Sequence, residues 1–133
     1  MEFLENYIDG TYQAPSSGLY LDNVNPSTGQ VYAKIPLSGE QDLAQAVDAA
    51  ERAFPLWSNL SANERSALLL RLAAGIEARM GEFVQAESRD NGKPEKLAAH
   101  VDIPRAVSNF HFFATAIEHF ASESHYMEKV GII

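Results

Sequence analysis

The sequence predicts an α+β fold in which short N-terminal strands, joined as β-hairpins, precede about four helices. Over residues 1–37, β-prone runs alternate with turn-forming clusters of Gly, Pro, Asn, Asp and Ser. From residue 38 to residue 127, apolar residues recur three and four positions apart, which is the spacing of amphipathic helices. Residues 128–133 form another β-like run. We interpret the three segments as parts of one truncated domain, and we expect the last strand to continue in a part that this chain lacks.

Turn signals divide the strand region. We expect strands at residues 6–8, 19–24 and 31–37, where β-branched and aromatic residues are frequent. Asp9-Gly10 is a residue pair favoured in two-residue hairpin turns. Pro26 to Gly29 fits a longer connection between the second and third strands.

Two capping boxes mark the first helices. Ser38-x-x-Gln41 precedes an apolar stripe, and Ser61-x-x-Glu64 precedes a second one. We expect Pro55 to end the first helix and Gly81 to interrupt the second. The stripes consist of Leu43, Val47, Ala50 and Phe54 in the first helix, and of Leu68, Leu69, Leu72, Ile76 and Met80 in the second.

The last helix is apolar over more than half of its circumference. Pro104 fits its first turn, with Asp102 near the N-cap. Four phenylalanines predict burial on two sides, for which 133 residues offer too little covering protein. We therefore expect the isolated chain to associate or to be only marginally stable. The stripe comprises Val107, Phe110, Ala114, Ile117 and Ala121, and the other phenylalanines are Phe112, Phe113 and Phe120.

Composition excludes several classes of protein. The net charge of −8 disfavours nucleic-acid binding, which requires a basic surface. The absence of cysteine excludes disulfides, thiolate metal sites and a thiol nucleophile in this chain. No apolar run reaches the roughly 18–20 residues of a membrane span, and the N-terminus lacks the basic and apolar regions of a secretory signal. We expect a soluble cytoplasmic protein that binds neither nucleic acid nor membrane.

The sequence carries few motifs of catalysis. Gly-x-Gly-x-x-Gly, P-loop and Gly-x-Ser-x-Gly patterns are all absent. His111 and His119 lie eight residues apart, but no carboxylate completes a metal site on that face. We interpret the four histidines, which also include His100 and His125, as polar positions on exposed helix faces.

Two residues have both a structural and a functional interpretation. Asp90 in the turn Asp90-Asn91-Gly92-Lys93-Pro94 can cap backbone N–H groups, or its carboxylate can bind a hard cation. Arg105, in the first turn of the last helix, can be an exposed charge or pair with Asp102 one turn earlier. In a cleft, Arg105 would instead suit bidentate recognition of a substrate carboxylate.

Several motifs in register resemble the N-terminal region of the aldehyde dehydrogenase superfamily, over essentially the whole chain. A further run resembles the 2-aminomuconate and 2-hydroxymuconate semialdehyde dehydrogenases within it. The superfamily motifs are Asn6-Tyr7-Ile8-Asp9-Gly10, Asn25-Pro26-Ser27-Thr28-Gly29, Trp57, Arg65, Leu72-Ala73 and Glu87-x-x-Asp90-Asn91-Gly92-Lys93-Pro94. The further run is Asp102-Ile103-Pro104-Arg105-Ala106 with Asn109-Phe110 and Phe113-Ala114.

The resemblance implies the N-terminal segment of the α/β, Rossmann-like fold of an enzyme that oxidises a semialdehyde to the acid with NAD. Such enzymes use a cysteine thiolate, a glutamate-activated water and an oxyanion-stabilising asparagine. This chain contains no cysteine, no glycine-rich cofactor turn and no Pro-Trp-Asn motif. It therefore holds no catalytic or cofactor-binding residue, and we expect it to be inactive alone. The alternative is a free-standing, non-catalytic α-helical interaction module.

The resemblance also implies two binding sites and a partner. The backbone oxygens of Asn23 and Val24, together with the Asp90 carboxylate, would hold a monovalent cation. Val101 and Arg105 would bind substrate from the helix that lines the entrance tunnel, with Arg105 taking the substrate carboxylate. Members of the superfamily usually form dimers or tetramers, so we expect a homo-oligomer.

Overall fold

The strands form two small sheets in the N-terminal part of a computed structural model that describes residues 1–121, 126–127 and 131–132. Strands β1 (Glu2–Phe3), β4 (Tyr20–Asn25) and β5 (Gln30–Pro36) form one sheet in the order β1-β5-β4. Strand β1 is parallel to β5, whereas β4 is antiparallel to it, with an irregularity between Asn23 and Val24. Strands β2 (Asn6–Ile8) and β3 (Thr11–Gln13) form a separate hairpin.

The predicted turns are present. Asp9 and Gly10 both have positive φ, 52° and 78°, as a two-residue turn of a right-twisted hairpin requires. The three expected strands form, each within one residue of its predicted bounds. The sequence interpretation did not include β1 and β3, which are two and three residues long and carry little periodic signal.

Helix α1 (Glu40–Ser58) differs from its prediction at both ends. Its N-cap is Gly39, not Ser38, because the carboxylate of Asp42, not the side chain of Gln41, accepts the Gly39 N–H at 2.8 Å. Pro55 does not end the helix. It lies one turn before the C-terminus, and its carbonyl accepts the N–H of Asn59 at the C-cap.

Helices α2 (Ala62–Ala78) and α3 (Met80–Asn91) follow. The capping box of α2 is confirmed: Ser61 and Glu64 exchange hydrogen bonds through their side chains and backbone N–H groups. The predicted break at Gly81 is wrong, because the helices separate at Arg79 and Gly81 lies inside α3. Arg79 has non-helical dihedral angles and pairs with Glu82 in the first turn of α3, at 2.7 Å.

The last helical stretch is longer than expected. It begins with α4 (Glu95–Leu97), passes through a π-helical turn (Ala98–Asp102) and continues as α5 (Ile103–His119). Asp102 directly precedes α5, as expected, but it has right-handed helical dihedral angles and makes no capping hydrogen bond. Pro104 does lie in the first turn of α5. Helix formation continues through this point because the π-turn joins the two α-helical parts.

The core among the described residues is built largely from small side chains. Four alanines are fully buried: Ala33, Ala73, Ala98 and Ala114. Helices α2 and α5 pack closely against each other, with Ala73 and Ala114 buried on their respective helices. A second cluster combines Val84 of α3 with Ala98 and Ile103, flanked by Ile76, Met80 and Ala99. Alanine at the helical positions lets helix backbones approach one another closely.

Within the described residues, several aromatic residues of α5 are exposed, as expected for a chain that offers too little protein to cover both sides of this helix. Phe112 and Phe113 of α5 are each 64% exposed, and Phe120 is 84% exposed. The apolar stripe of α1 is exposed as well at Leu43, Val47 and Phe54. The predicted stripe of α5 does pack inward, since Val107 and Ala114 are buried and Phe110 and Ile117 are half-buried.

Two further strands, β6 (Tyr126–Met127) and β7 (Gly131–Ile132), form an antiparallel pair. Strand β7 lies inside the β-like run predicted over residues 128–133, of which residues 128–130 and 133 lie outside the described residues, and the predicted continuation of that strand stays a prediction. The division of the chain at residues 37 and 127 stays a prediction. Within the described part of the chain, no helix combines the length and the apolar character needed to cross a membrane.

Candidate functional site

The turn between α3 and α4, from Asp90 to Pro94, is held against the first sheet by close backbone contact. Gly92 has a φ of +78° and ends α3 in the left-handed conformation, where its N–H donates to the Ser88 carbonyl at 3.0 Å. A Cβ on Gly92 would lie 3.1 Å from Cγ of Pro26. Ser27 Oγ donates to the Gly92 carbonyl at 3.1 Å. The turn after β4 therefore docks directly onto the α3–α4 turn.

Asp90 accepts two hydrogen bonds from the sheet. Its Oδ1 receives Asn23 Nδ2 at 3.2 Å and the Tyr32 hydroxyl at 3.0 Å. The Arg89 guanidinium lies 4.8 Å from the centre of the Tyr32 ring. Partial burial raises the pKa of Tyr32, and the hydrogen bond to Asp90 raises it further, so the hydroxyl remains a donor at neutral pH.

The structure thus brings together two of the three residues predicted to hold a cation, Asn23 and Asp90. Val24 follows Asn23 at the irregularity of β4 and is 43% exposed. The capping role considered for Asp90 is filled by its neighbour, because Asn91 Oδ1 accepts the N–H of Lys93 at 2.9 Å. Cation binding by the Asn23 and Val24 backbone oxygens with the Asp90 carboxylate stays a prediction.

An open cleft borders Asp90. Five carboxylates line it, while Arg89 is the guanidinium among its lining residues. Such an excess of negative charge attracts cations in general. Across the described ranges, however, no group of three or more His, Asp or Glu side chains is arranged to hold a metal ion. The carboxylates are those of Glu2, Glu82, Glu87, Asp90 and Glu95.

Lys93 connects the α3–α4 turn to the π-turn. Its Nζ donates to Asp102 Oδ2 at 2.8 Å and to Glu87 Oε1 at 3.2 Å. The hydrogen bond to Asp102, followed by that to Glu87, raises the pKa of Lys93. The ammonium is therefore fixed as a cation between two carboxylates.

Arg105 lies exposed in the first turn of α5. Within the described residues it forms no ion pair, so the alternative in which Arg105 pairs with Asp102 is not observed: Asp102 binds Lys93 instead. Asn109, Phe112 and Ala116 follow Arg105 at helical spacing, on the side of α5 roughly opposite the buried stripe. We call Arg105, Asn109, Phe112 and Ala116 the outer face of α5. Val101, the other predicted substrate-binding residue, is 37% exposed in the π-turn that precedes this face.

The histidines have the polar roles expected of them where they are described. His111 and His119 are exposed. The Nδ1 atom of His100 lies 2.7 Å from the Lys96 carbonyl, and because a carbonyl only accepts, Nδ1 carries the hydrogen. His125 lies outside the described residues.

The sequence interpretation missed the two polar junctions that position these elements. Buried Asp42 binds the N–H and hydroxyl of Ser16 at 2.8 and 3.1 Å and thereby ties the turn before β4 to α1. Lys93, in the α3–α4 turn, binds Asp102, which lies nine positions further along the chain. The signal for Asp42 was its place three residues after a glycine that precedes an apolar stripe, whereas no local pattern distinguishes Lys93.

The arrangement of a three-stranded sheet docked on the end of α3, with α2 packed on α5, superimposes with a TM-score of 0.90 on part of a solved protein from Burkholderia cenocepacia described as a putative aldehyde dehydrogenase, which is 36% identical over 95% of this chain and 26% of that one. The sequence model of the aldehyde dehydrogenase family matches residues 12–131. The chain therefore belongs to the aldehyde dehydrogenase family, and its fold corresponds to the N-terminal part of that fold, as the resemblance predicted.

Individual relatives and a solved structure show how similar the chain is to particular aldehyde dehydrogenases. The 2-aminomuconic semialdehyde dehydrogenase of Bos taurus is 49% identical over 130 residues, which are 98% of this chain and 26% of the relative. The 2-hydroxymuconic semialdehyde dehydrogenase of Pseudomonas sp. strain CF600 is 40% identical over 93% of this chain and 26% of its own length. PnpE in complex with nicotinamide adenine dinucleotide superimposes with a TM-score of 0.91 at 34% identity, covering 95% of this chain and 26% of that one. The chain thus spans about a quarter of the length of these relatives.

Proposed function

We propose that this chain is the N-terminal segment of an NAD-dependent dehydrogenase that oxidises a carboxylated, muconic-type semialdehyde to the acid. Two relatives whose names specify muconic semialdehydes support the substrate class. Structural neighbours solved with NAD, PnpE and the Bacillus cereus aldehyde dehydrogenase, support the cofactor. NAD supplies the hydride acceptor for such an oxidation.

The residues of this chain do not fit an NAD site. The sequence has no glycine-rich phosphate cradle and no cysteine to form a thiohemiacetal. Cofactor binding and the chemical step therefore belong, in our proposal, to the three quarters of the relatives that lie outside the match. The isolated 133-residue chain is expected to produce no NADH from an aldehyde.

The single observation that carries the proposal is that the Arg105 side chain is exposed and has no ion-pair partner among the described residues. This guanidinium is exposed, without an ion pair among the described residues, and aligned with the exposed Phe112 along the outer face of α5. A planar guanidinium makes two parallel N–H···O bonds to a carboxylate and stays charged at every working pH. An adjacent apolar face suits the carbon chain between the carboxylate and the aldehyde. Anchoring the carboxylate would fix how far the aldehyde reaches toward the nucleophile.

The test is Arg105→Ala in a full-length dehydrogenase that carries this segment, assayed with a carboxylated semialdehyde and with a neutral aldehyde of similar length. We expect kcat/KM for the carboxylated substrate to fall by about 2–4 kcal/mol, roughly 30- to 700-fold, and to fall much less for the neutral one. Arg71→Ala is the matched control, since Arg71 is an exposed arginine of α2 that also lacks an ion pair among the described residues.

Equal losses for both substrates in the Arg105 variant would show a structural role and remove the support for a carboxylated substrate. The same assay addresses the alternative of a non-catalytic helical module. Aldehyde-dependent NADH formation by the full-length protein contradicts that alternative, and its complete absence contradicts our proposal.

A further inference from the structure

Asp102, the nearest acidic residue to Arg105 along the helix, already forms an ion pair with Lys93. Asp102 lies three positions before Arg105, a spacing at which opposite charges on a helix attract each other. Its Oδ2 instead accepts from Lys93 Nζ at 2.8 Å. Both side chains are partly buried, at 28% exposed for Lys93 and 29% for Asp102, so water competes for this pair less than for a surface pair.

The π-turn contributes to this choice of partner. Asp102 is its last residue, and a π-turn contains more residues per turn than an α-helix, which rotates the side chains on one side of it relative to those on the other. Ala98 of the π-turn is fully buried, and on the exposed side of the turn His100 Nδ1 donates to the Lys96 carbonyl at 2.7 Å. The carboxylate of Asp102 is thereby held toward the α3–α4 turn, where Lys93 lies.

All polar groups of Lys93 already make hydrogen bonds to other residues. Its ammonium lies between Asp102 and Glu87, its carbonyl accepts Ser88 Oγ at 2.6 Å, and its N–H donates to Asn91. The residue is fixed at its side chain and at both backbone groups. It is thus a rigid support and not a mobile surface charge.

We propose that Lys93 is a positioning residue that keeps Arg105 available to an anionic substrate group by holding the Asp102 carboxylate away from it. This inference rests on the proposed role of Arg105 in substrate binding. Without Lys93, Asp102 would pair with Arg105 and compete with the substrate carboxylate for the same guanidinium. The α3–α4 turn, which also carries Asp90, is in this way connected to substrate recognition on α5.

The test compares Lys93→Met with two double variants in the full-length dehydrogenase. We expect K93M to raise KM for the carboxylated semialdehyde roughly two- to fivefold, because the competing pair between Asp102 and Arg105 would be an exposed ion pair. The changes in kcat and in KM for the neutral aldehyde should be smaller. Adding Asp102→Asn should restore KM, because the competing carboxylate is then removed. Adding Glu87→Gln should not restore it, although it removes the same amount of charge from the other partner of Lys93.

The variants separate the two proposals. Restoration by D102N and E87Q alike would show a general charge effect and overturn the inference, as would a crystal structure of K93M in which Asp102 stays more than ~4 Å from the Arg105 guanidinium. Should K93M fold poorly, D102N alone is the test: KM for the carboxylated substrate must stay the same or fall, and a raised KM overturns the inference.

The R105A assay distinguishes failure of this inference from failure of the proposed function. If R105A discriminates between substrates while the Lys93 and Asp102 tests fail, only this inference is wrong. If R105A does not discriminate, the proposed substrate falls with it.

Discussion

The α3–α4 turn and the outer face of α5 lie close in sequence and differ in how their polar groups are satisfied. In the turn, Asp90, Asn91, Gly92 and Lys93 each make a hydrogen bond to another part of the described chain. On the outer face, Arg105 makes no ion pair within the described residues and Phe112 is 64% exposed. The turn is held by internal contacts, whereas Arg105 and Phe112 of the outer face are exposed. The comparison predicts that substitutions in the turn change the stability of the fold and that substitutions on the outer face change binding.

The largest effect on stability is expected at Gly92. An alanine there would require a side chain in the left-handed conformation at φ +78°, and its Cβ would lie 3.1 Å from Pro26. We expect Gly92→Ala to lower the free energy of unfolding by about 1–3 kcal/mol. Urea denaturation of the 133-residue chain measures this difference.

Gly75 offers a control of opposite sign. It lies within α2, where an added Cβ meets nothing within 4 Å. Gly75→Ala should therefore stabilise the chain by about 0.5–1 kcal/mol, because alanine has the higher helix propensity. A Gly92→Ala chain as stable as the unaltered chain would contradict the close docking of the α3–α4 turn on Pro26.

A second polar junction, at the start of α1, should behave like the α3–α4 turn and respond to acid. Hydrogen bonds from the backbone N–H groups of Gly39 and Ser16 lower the pKa of Asp42 below its ordinary value of 3.8. Since the folded-state pKa is the lower one, the unfolded state takes up protons first as the pH falls. The stabilisation is complete well above pH 3.8 and is lost as the pH falls through the unfolded and then the folded pKa.

Asp42→Asn tests this assignment. The variant should melt at a lower temperature near neutral pH, and its melting temperature should depend less on pH below about 5 than that of the unaltered chain. Asp48→Asn, on an exposed position of the same helix, should leave the profile nearly unchanged. Identical acid profiles for the Asp42 variant and the unaltered chain would show that Asp42 does not carry the acid dependence.

The sequence predicted the elements whose determinants are local. Asp9-Gly10 and the Ser61–Glu64 capping box depend on residues at most three positions apart, and both formed as expected. The errors concern competition between near neighbours. Asp42 displaced the expected Ser38–Gln41 pair at the start of α1, and the Arg79–Glu82 pair moved the helix break away from Gly81. Helix rules alone cannot rank such neighbouring candidates, because the outcome depends on which side chain also meets the rest of the fold.

The candidate site shows the same limit. The juxtaposition of Asn23 with Asp90 spans 67 positions, and it followed from the family resemblance and not from any spacing. The actual partner of Asp102 was not foreseen: helical spacing suggested Arg105 as one alternative, while Lys93 comes from the preceding turn. A π-turn has no sequence signature here, so the rotation that it imposes could not be anticipated.

The smallest effect on stability is expected on the exposed aromatic side of α5, and it completes the comparison. Phe112 and Phe113 are each 64% exposed and stack edge-to-face on each other, with ring centres 5.1 Å apart. Replacing both with alanine should change the free energy of unfolding by less than about 0.5 kcal/mol each, as for most exposed positions. Ile103→Val, at a position only 8% exposed, should instead cost about 0.5–1.5 kcal/mol.

The same double variant should have its main effect on association. Contiguous exposed apolar surface of more than a few hundred Å² promotes contact between molecules, so we expect the unaltered chain to sediment faster as its concentration rises. The Phe112→Ala/Phe113→Ala chain should lose much of that dependence, whereas Ile103→Val should keep it, because valine changes the core and leaves the outer aromatic surface in place. A chain that sediments as a monomer at every concentration would refute self-association through this side of α5. A double variant that unfolds would show that the two rings stabilise the fold. The contrast between the α3–α4 turn, which determines stability, and the exposed side of α5, which does not, would then be wrong.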